Sequence, residues 1–172
     1  AATPGSWFEM VLDHHLQIED AFAAVRRADT AEGRRTAEKD LAVLLTGHSL
    51  AEEAVLYPAM ALHGEKAHAE MAFVEQSAAK VQMAGLEDLD PMSQDYLDKL
   101  EHIRGAVAHH VYEEEGDRFL DLHEKANAQL EAKLTRRYKE EFERYMHGAD
   151  ESASHGLTPR PTQAATSTYT RH

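Results

Sequence analysis

The chain has 172 residues, a formal net charge of −13 and no cysteine. That length supports one domain with a real core, and the acidic surface repels phosphate backbones, so no nucleic-acid partner is expected. The lack of thiols excludes disulfides, thiolate zinc sites, iron–sulfur clusters and a cysteine nucleophile. No stretch approaches the ~18 apolar residues of a membrane span. The opening "AATPGSWFEM" has no basic region followed by an apolar run, so no signal peptide is expected and the cytoplasm is the expected compartment. Twelve histidines make imidazole the donor to follow, since neutral imidazole is the commonest protein metal ligand.

In chain order, helical periodicity dominates and no hairpin signal appears. A first helix is expected from the cap Ser6 to about Ala28, with Phe8, Val11, His15, Ile18, Phe22 and Val25 as its stripe and His14 on the flank. A second runs from about Thr30 to Leu62. Its inner face is Leu41, Leu44, Leu45, His48, Glu52, Val55 and Leu56, and Pro58 is expected to bend its end. A third, from about Glu65 to Glu87, places His68, Met71, Glu75, Ala78 and Gln82 in one row. Asp90 and Pro91 suit the cap and first position of a fourth helix, about Met92 to Glu115, whose inner row ends in His110 and Glu114. Gly116 reads as a break. A more polar helix follows to about His147, and then a tail rich in Ser, Thr, Pro and Gly.

The predicted fold is all-α: an antiparallel up-down four-helix bundle with an additional C-terminal helix, because long helices joined by short loops pair with their neighbours. The corresponding division is a bundle over 1–122, an accessory helix over 123–147 and an extended or disordered tail over 148–172.

His-x-x-x-Glu occurs five times in the chain, so one occurrence carries little. Two of them, His48/Glu52 and His110/Glu114, fall on the apolar stripes of different helices. Residues four apart share a helix face about 6 Å apart along the axis, and the inner rows of a bundle converge. Burying such groups costs several kcal/mol per unpaired ion, and a metal supplies the pairing. Nitrogen and carboxylate donors without thiolate suit iron, manganese or zinc. A ferritin-like site needs Glu-x-x-His on two helices; only Glu65/His68 fits.

The blocks "DHH", "HSLAEEAVLYPA" and "HHVYEEEG" resemble the hemerythrin-like, HHE cation-binding family over about residues 7–122. The resemblance implies a four-helix bundle around two non-haem iron ions, often oxo-bridged, held by His14, His48, Glu52, His110 and Glu114. On the first helix the family pattern favours His14 and the periodicity favours His15. Where relatives carry "VEH" this chain has "FVEQSAAK", with Gln76 in the histidine's place. His68 and Glu75 are then the candidates for the third-helix ligand. Tyr57 and Tyr112 flank the ligand turns and read as packing residues, with a hydrogen bond from Tyr112 to a ligand residue as the alternative.

The implied function is a di-iron protein that binds or reacts with oxygen, peroxide or nitric oxide in oxidative-stress defence or sensing, with peroxide consumption as its enzymatic form. The alternatives are an iron or oxygen sensor without turnover and a metal-free helical interaction module whose buried polar pairs fix register. A homo-oligomer or protein partner is expected to use the C-terminal helix.

Overall fold

Side-chain caps set where the long helices begin. In the computed structural model, which describes residues 2–154, Ser6 accepts from the backbone N–H of Glu9 and opens α1 (Trp7–Arg27). Thr30 accepts from Gly33 and opens α2 (Ala31–Ala51). Each cap satisfies one of the four donors that a helix start leaves unpaired.

The predicted second helix is divided in two. After α2 comes one π-helical turn, Glu52–Leu56, and then α3, Tyr57–Leu62, with Pro58 in its first turn. Proline has no N–H to donate and crowds the carbonyl four residues back; a widened turn just before it absorbs both problems. α4 follows as Lys66–Ala84.

Asp90 does not cap the next helix. Its carboxylate accepts from Met92 N at 3.0 Å and closes a turn. Ser93 takes the cap, accepting from Tyr96 N at 3.2 Å, and α5 runs Gln94–Glu113. A second π turn, Glu114–Arg118, stands where Gly116 was expected to break the chain. It leads into α6, Phe119–Lys125. Asn127 then accepts from Leu130 N at 2.9 Å and starts α7, Ala128–Ser154. α7 thus passes the expected end at His147; the rest of the predicted tail, 155–172, lies outside the described residues.

Among the described residues every regular element is helical. α1 packs on α2, α5 and α7, and α4 packs on α3 and α5. α7 is built into the bundle: its Leu134 and Tyr138 are buried. Gly47 of α2 shows how closely α7 approaches, because a Cβ there would lie 3.0 Å from the Tyr145 ring and 3.2 Å from Met146 sulfur. A mid-helix glycine costs about 1 kcal/mol; the close approach explains its presence.

The core has two apolar clusters. One gathers Trp7, Phe8, Val11, Leu56, Phe119 and Leu134. The other gathers Ile18, Phe22, Leu41, Met83, Leu100 and Ile103. The buried polar residues His14, His15, His48, Glu52, Gln76, His110 and Glu114 come from helix segments between those two sets, as a polar layer within the bundle. At the far end, the buried Arg34 gathers carbonyls from the end of α1 and from the α4–α5 connection: Val25 O at 3.2 Å and Pro91 O at 2.6 Å. A cation at a helix C-terminus also opposes the helix dipole.

Candidate metal centre

The pairs His48/Glu52 and His110/Glu114 each end an α-helix, and the glutamate of each is the first residue of a π turn. The N–H of Tyr57 donates to Glu52 O, and that of Phe119 donates to Glu114 O; both are bonds across five residues. Such turns re-aim side chains within a helix and recur at functional sites. Here they bring two fully buried carboxylates together at the bundle's centre, with Glu52 and Glu114 both at 0% exposure.

The donors fall into two groups around this carboxylate pair. On one side, His48 Nε2 lies 3.2 Å from Glu52 Oε1, and His15 Nε2 lies 3.4 Å from Glu114 Oε2. One atom from each of His15, His48, Glu52 and Glu114 falls within 4.8 Å of the others. On the other side, His110 Nε2 lies 3.0 Å from Glu114 Oε1. The Tyr57 hydroxyl sits there too, donating to Glu114 Oε1 at 2.8 Å and standing 3.3 Å from Glu52 Oε2 and 3.3 Å from His110 Nε2. Each carboxylate therefore turns one oxygen to each group.

The imidazoles are held from behind. His15 Nδ1 pairs with Glu115 at 2.8 Å, His110 Nδ1 with Glu75 at 2.7 Å, and His48 Nδ1 with the Tyr138 hydroxyl at 3.1 Å. A partner on Nδ1 fixes the tautomer and leaves Nε2 free to bind a cation. The same Tyr138 hydroxyl lies 2.9 Å from His14 Nδ1. With Nε2 of His48 committed to a cation, its Nδ1–H donates to the Tyr138 oxygen, and the Tyr138 O–H donates to His14.

Three predicted site residues therefore have other places. His14 is buried but turned towards α7, where its ring stacks on Phe142 at 4.0 Å; on the first helix His15 reaches the carboxylates. The reason is register, since His15 lies on the stripe of α1 and His14 on its flank. His68 is half-exposed and pairs with Glu65 at 2.9 Å, away from the centre. Glu75 meets His110 Nδ1 and, at 3.0 Å, Arg118, so it orients a donor and does not face the carboxylate pair. The inner stripe of α4 runs one residue beyond the predicted row: Ala69, Ala72, Gln76 and Met83 are its buried residues. Gln76 thus enters the centre, where its amide N–H donates to Glu52. The sequence reading takes Tyr57 for packing alone, passes over Gln76 for His68 or Glu75, and misses Tyr138. Gln76 carries a signal in standing at the family histidine's place, and Tyr57 in following Glu52 by five residues.

Electrostatics divides the carboxylates. Burial and the charge of Glu114 push Glu52 well above the usual carboxylate range. Burial also opposes a charge on Glu114, but His110 and His15 outweigh it and hold that carboxyl low. Burial disfavours cations on His15 and His110; neighbouring glutamates prevail and raise both. Burial takes His48 well below its ordinary value and raises the Tyr57 phenol, with help from both carboxylates.

A sequence model of the hemerythrin HHE cation-binding domain matches residues 8–120. The chain belongs to this family. Among solved structures, a hemerythrin HHE cation-binding domain-containing protein from Mycobacterium kansasii superposes with a TM-score of 0.73 at 19% identity, covering 87% of this chain and 92% of that one. At that identity the likeness shows a shared hemerythrin-like fold. No curated protein matches this sequence. No helix among the described residues is long and apolar enough to cross a membrane.

The residues present fit the family's cation. His15 Nε2, Glu52 Oε1 and Glu114 Oε2 are buried without a hydrogen-bond partner, and unsatisfied polar atoms at such depth cost about 1–3 kcal/mol each. All three point into the first group, where a cation would satisfy them together.

Proposed function

We propose that this HHE-family chain holds a pair of non-haem iron ions at its centre and uses them on a small ligand, namely oxygen, peroxide or nitric oxide, in cytoplasmic oxidative-stress defence or sensing. The observation that carries the reading is the division of the carboxylates: Glu52 and Glu114 each offer one oxygen to His15 and His48 and the other to His110 and Tyr57. That is a donor set for two cations sharing two carboxylates. Imidazole, carboxylate and phenol oxygen suit iron, with manganese and zinc as weaker fits.

When bound, redox-active ions exchange electrons with the small ligand and offer it an open position. The chain's own residues do the rest. Glu115, Tyr138 and Glu75 hold the three imidazoles in place. Gln76 holds Glu52, and the apolar clusters pack on either side of the centre. Burial and the two carboxylates hold the proton on Tyr57, and its oxygen would be a donor to a cation on the His110 side.

Metal analysis of the purified protein with its absorption spectrum tests this. A pair of irons per chain and a visible phenolate-to-iron band are expected. Absence of metal, with melting unchanged by added iron, overturns it and leaves a bundle whose polar layer fixes register.

Tyr138 favours a second reading, a sensor without turnover. Its hydroxyl links His48 to α7, so occupancy of the centre would reach the helix expected to meet a protein partner or a second copy. Peroxide consumption by the iron-loaded protein separates the readings.

A further inference from the structure

α4 packs on α3 and α5 but makes little contact with α2. The space this leaves is a cavity of about 430 Å³ that reaches His48, Gln76 and His110 at its inner end. Its walls include Ile18, Ala42, Leu45, Ala79, Met83 and Val107. Ala42, Leu45 and Ala79 are half-buried although they face between helices, because the cavity stands where a neighbour would pack.

Size decides what the cavity is for. A water molecule's share of liquid volume is about 30 Å³, so oxygen or hydrogen peroxide would occupy a small part of it. Pockets of roughly 300–1,000 Å³ with apolar walls and few polar groups take organic molecules. The polar group at the inner end is specific. The N–H of Gln76 is committed to Glu52, while its Oε1 is buried and has no partner, as is true of Gln82 Oε1 further along α4. The Gln76 oxygen accepts and cannot donate, so a polar end that meets it must carry a donor, of which a neutral O–H is the smallest. A carboxylate there would meet the charges of Glu75 and Glu114. At the mouth, Lys80 is already paired with Glu53 at 2.7 Å.

We propose that this cavity binds a neutral aliphatic molecule with a terminal O–H, an alcohol or an alkyl hydroperoxide, its chain between α2, α4 and α5 and its O–H donated to Gln76. The cavity argument is independent of the bound metal. Only the choice of a hydroperoxide as the reactive form rests on the proposed function.

Calorimetric titration of the full-length protein with 1-octanol, octanoate and octyl hydroperoxide is the test. Saturable octanol binding is expected, with octanoate weaker by about tenfold and octyl hydroperoxide competing with octanol. Ala79→Phe and Ala42→Phe, which fill the cavity from opposite walls, should each weaken octanol by about tenfold, with circular dichroism confirming the fold. Gln76→Met keeps the chain contacts and should weaken it by about fivefold. Absence of saturable octanol binding, or unchanged binding in both folded filling variants, overturns the proposal. Octanol binding to a protein that consumes no peroxide upholds the cavity and removes only the oxidant reading.

Discussion

In the first half of the chain, Glu52 opens a π turn that hands over to Tyr57; in the second, Glu114 opens one that hands over to Phe119. Each glutamate follows a histidine by four residues, and each turn continues into a short helix. The rings of Tyr57 and Phe119 stack at 6.3 Å with 27° between their planes. One aromatic carries a hydroxyl back to both carboxylates, while the other only packs. The repeated unit builds the scaffold, and the Tyr57 oxygen gives the His110 side of the centre a donor that the His15/His48 side lacks.

The strongest way to break the comparison is to remove what the sides share. Glu114→Ala deletes a donor from both groups, and metal content is expected to fall to background in elemental analysis. His48→Ala and His110→Ala each injure one side, so each should leave partial occupancy. Tyr57→Phe makes the two π turns alike. Phe119 shows that the position tolerates a plain ring, so the variant should fold, lose the visible phenolate band and bind its second iron more weakly. A retained band would remove Tyr57 from the donor set.

Two changes sharpen the contrast from outside the donor groups. Tyr138→Phe strips the hydroxyl that serves His48 and His14. Losing an outer partner of this kind typically costs about 10–100-fold in metal affinity, here on the His15/His48 side, and a chelator competition would measure it. Glu75→Gln keeps an acceptor for His110 and removes its charge; the expected loss, about tenfold or less, falls on the Tyr57 side. Equal losses on both sides in these two variants would contradict the assignment of outer partners.

Much of this was legible in the sequence. The long helices, His48/Glu52 and His110/Glu114 follow from the 3.6-residue period, because a polar residue on an apolar stripe has only the interior to point into. The same logic favoured His15, and the family pattern displaced it. The turn of α4 escaped because its stripe is made of alanines: with small side chains on several faces, periodicity does not distinguish Glu75 from Gln76. Tyr57 and Tyr138 escaped for another reason. A tyrosine is apolar along its ring and polar at its tip, so sequence shows that it packs but not where its hydroxyl lands. The π turns had only Pro58 as an indirect sign, and the second lacks even that.

The distance along the chain between His14 and the residue it meets, 124 positions, has a consequence for biosynthesis. The chain leaves the ribosome N-terminus first, at about 5–20 residues per second. The residues at 15, 48, 52, 57, 110 and 114 have all emerged before Tyr138 does. A nascent chain therefore displays the whole donor set with one flank still open, and α7 closes it. Once α7 seats against Gly47, its buried Leu134 and Tyr138 close that flank.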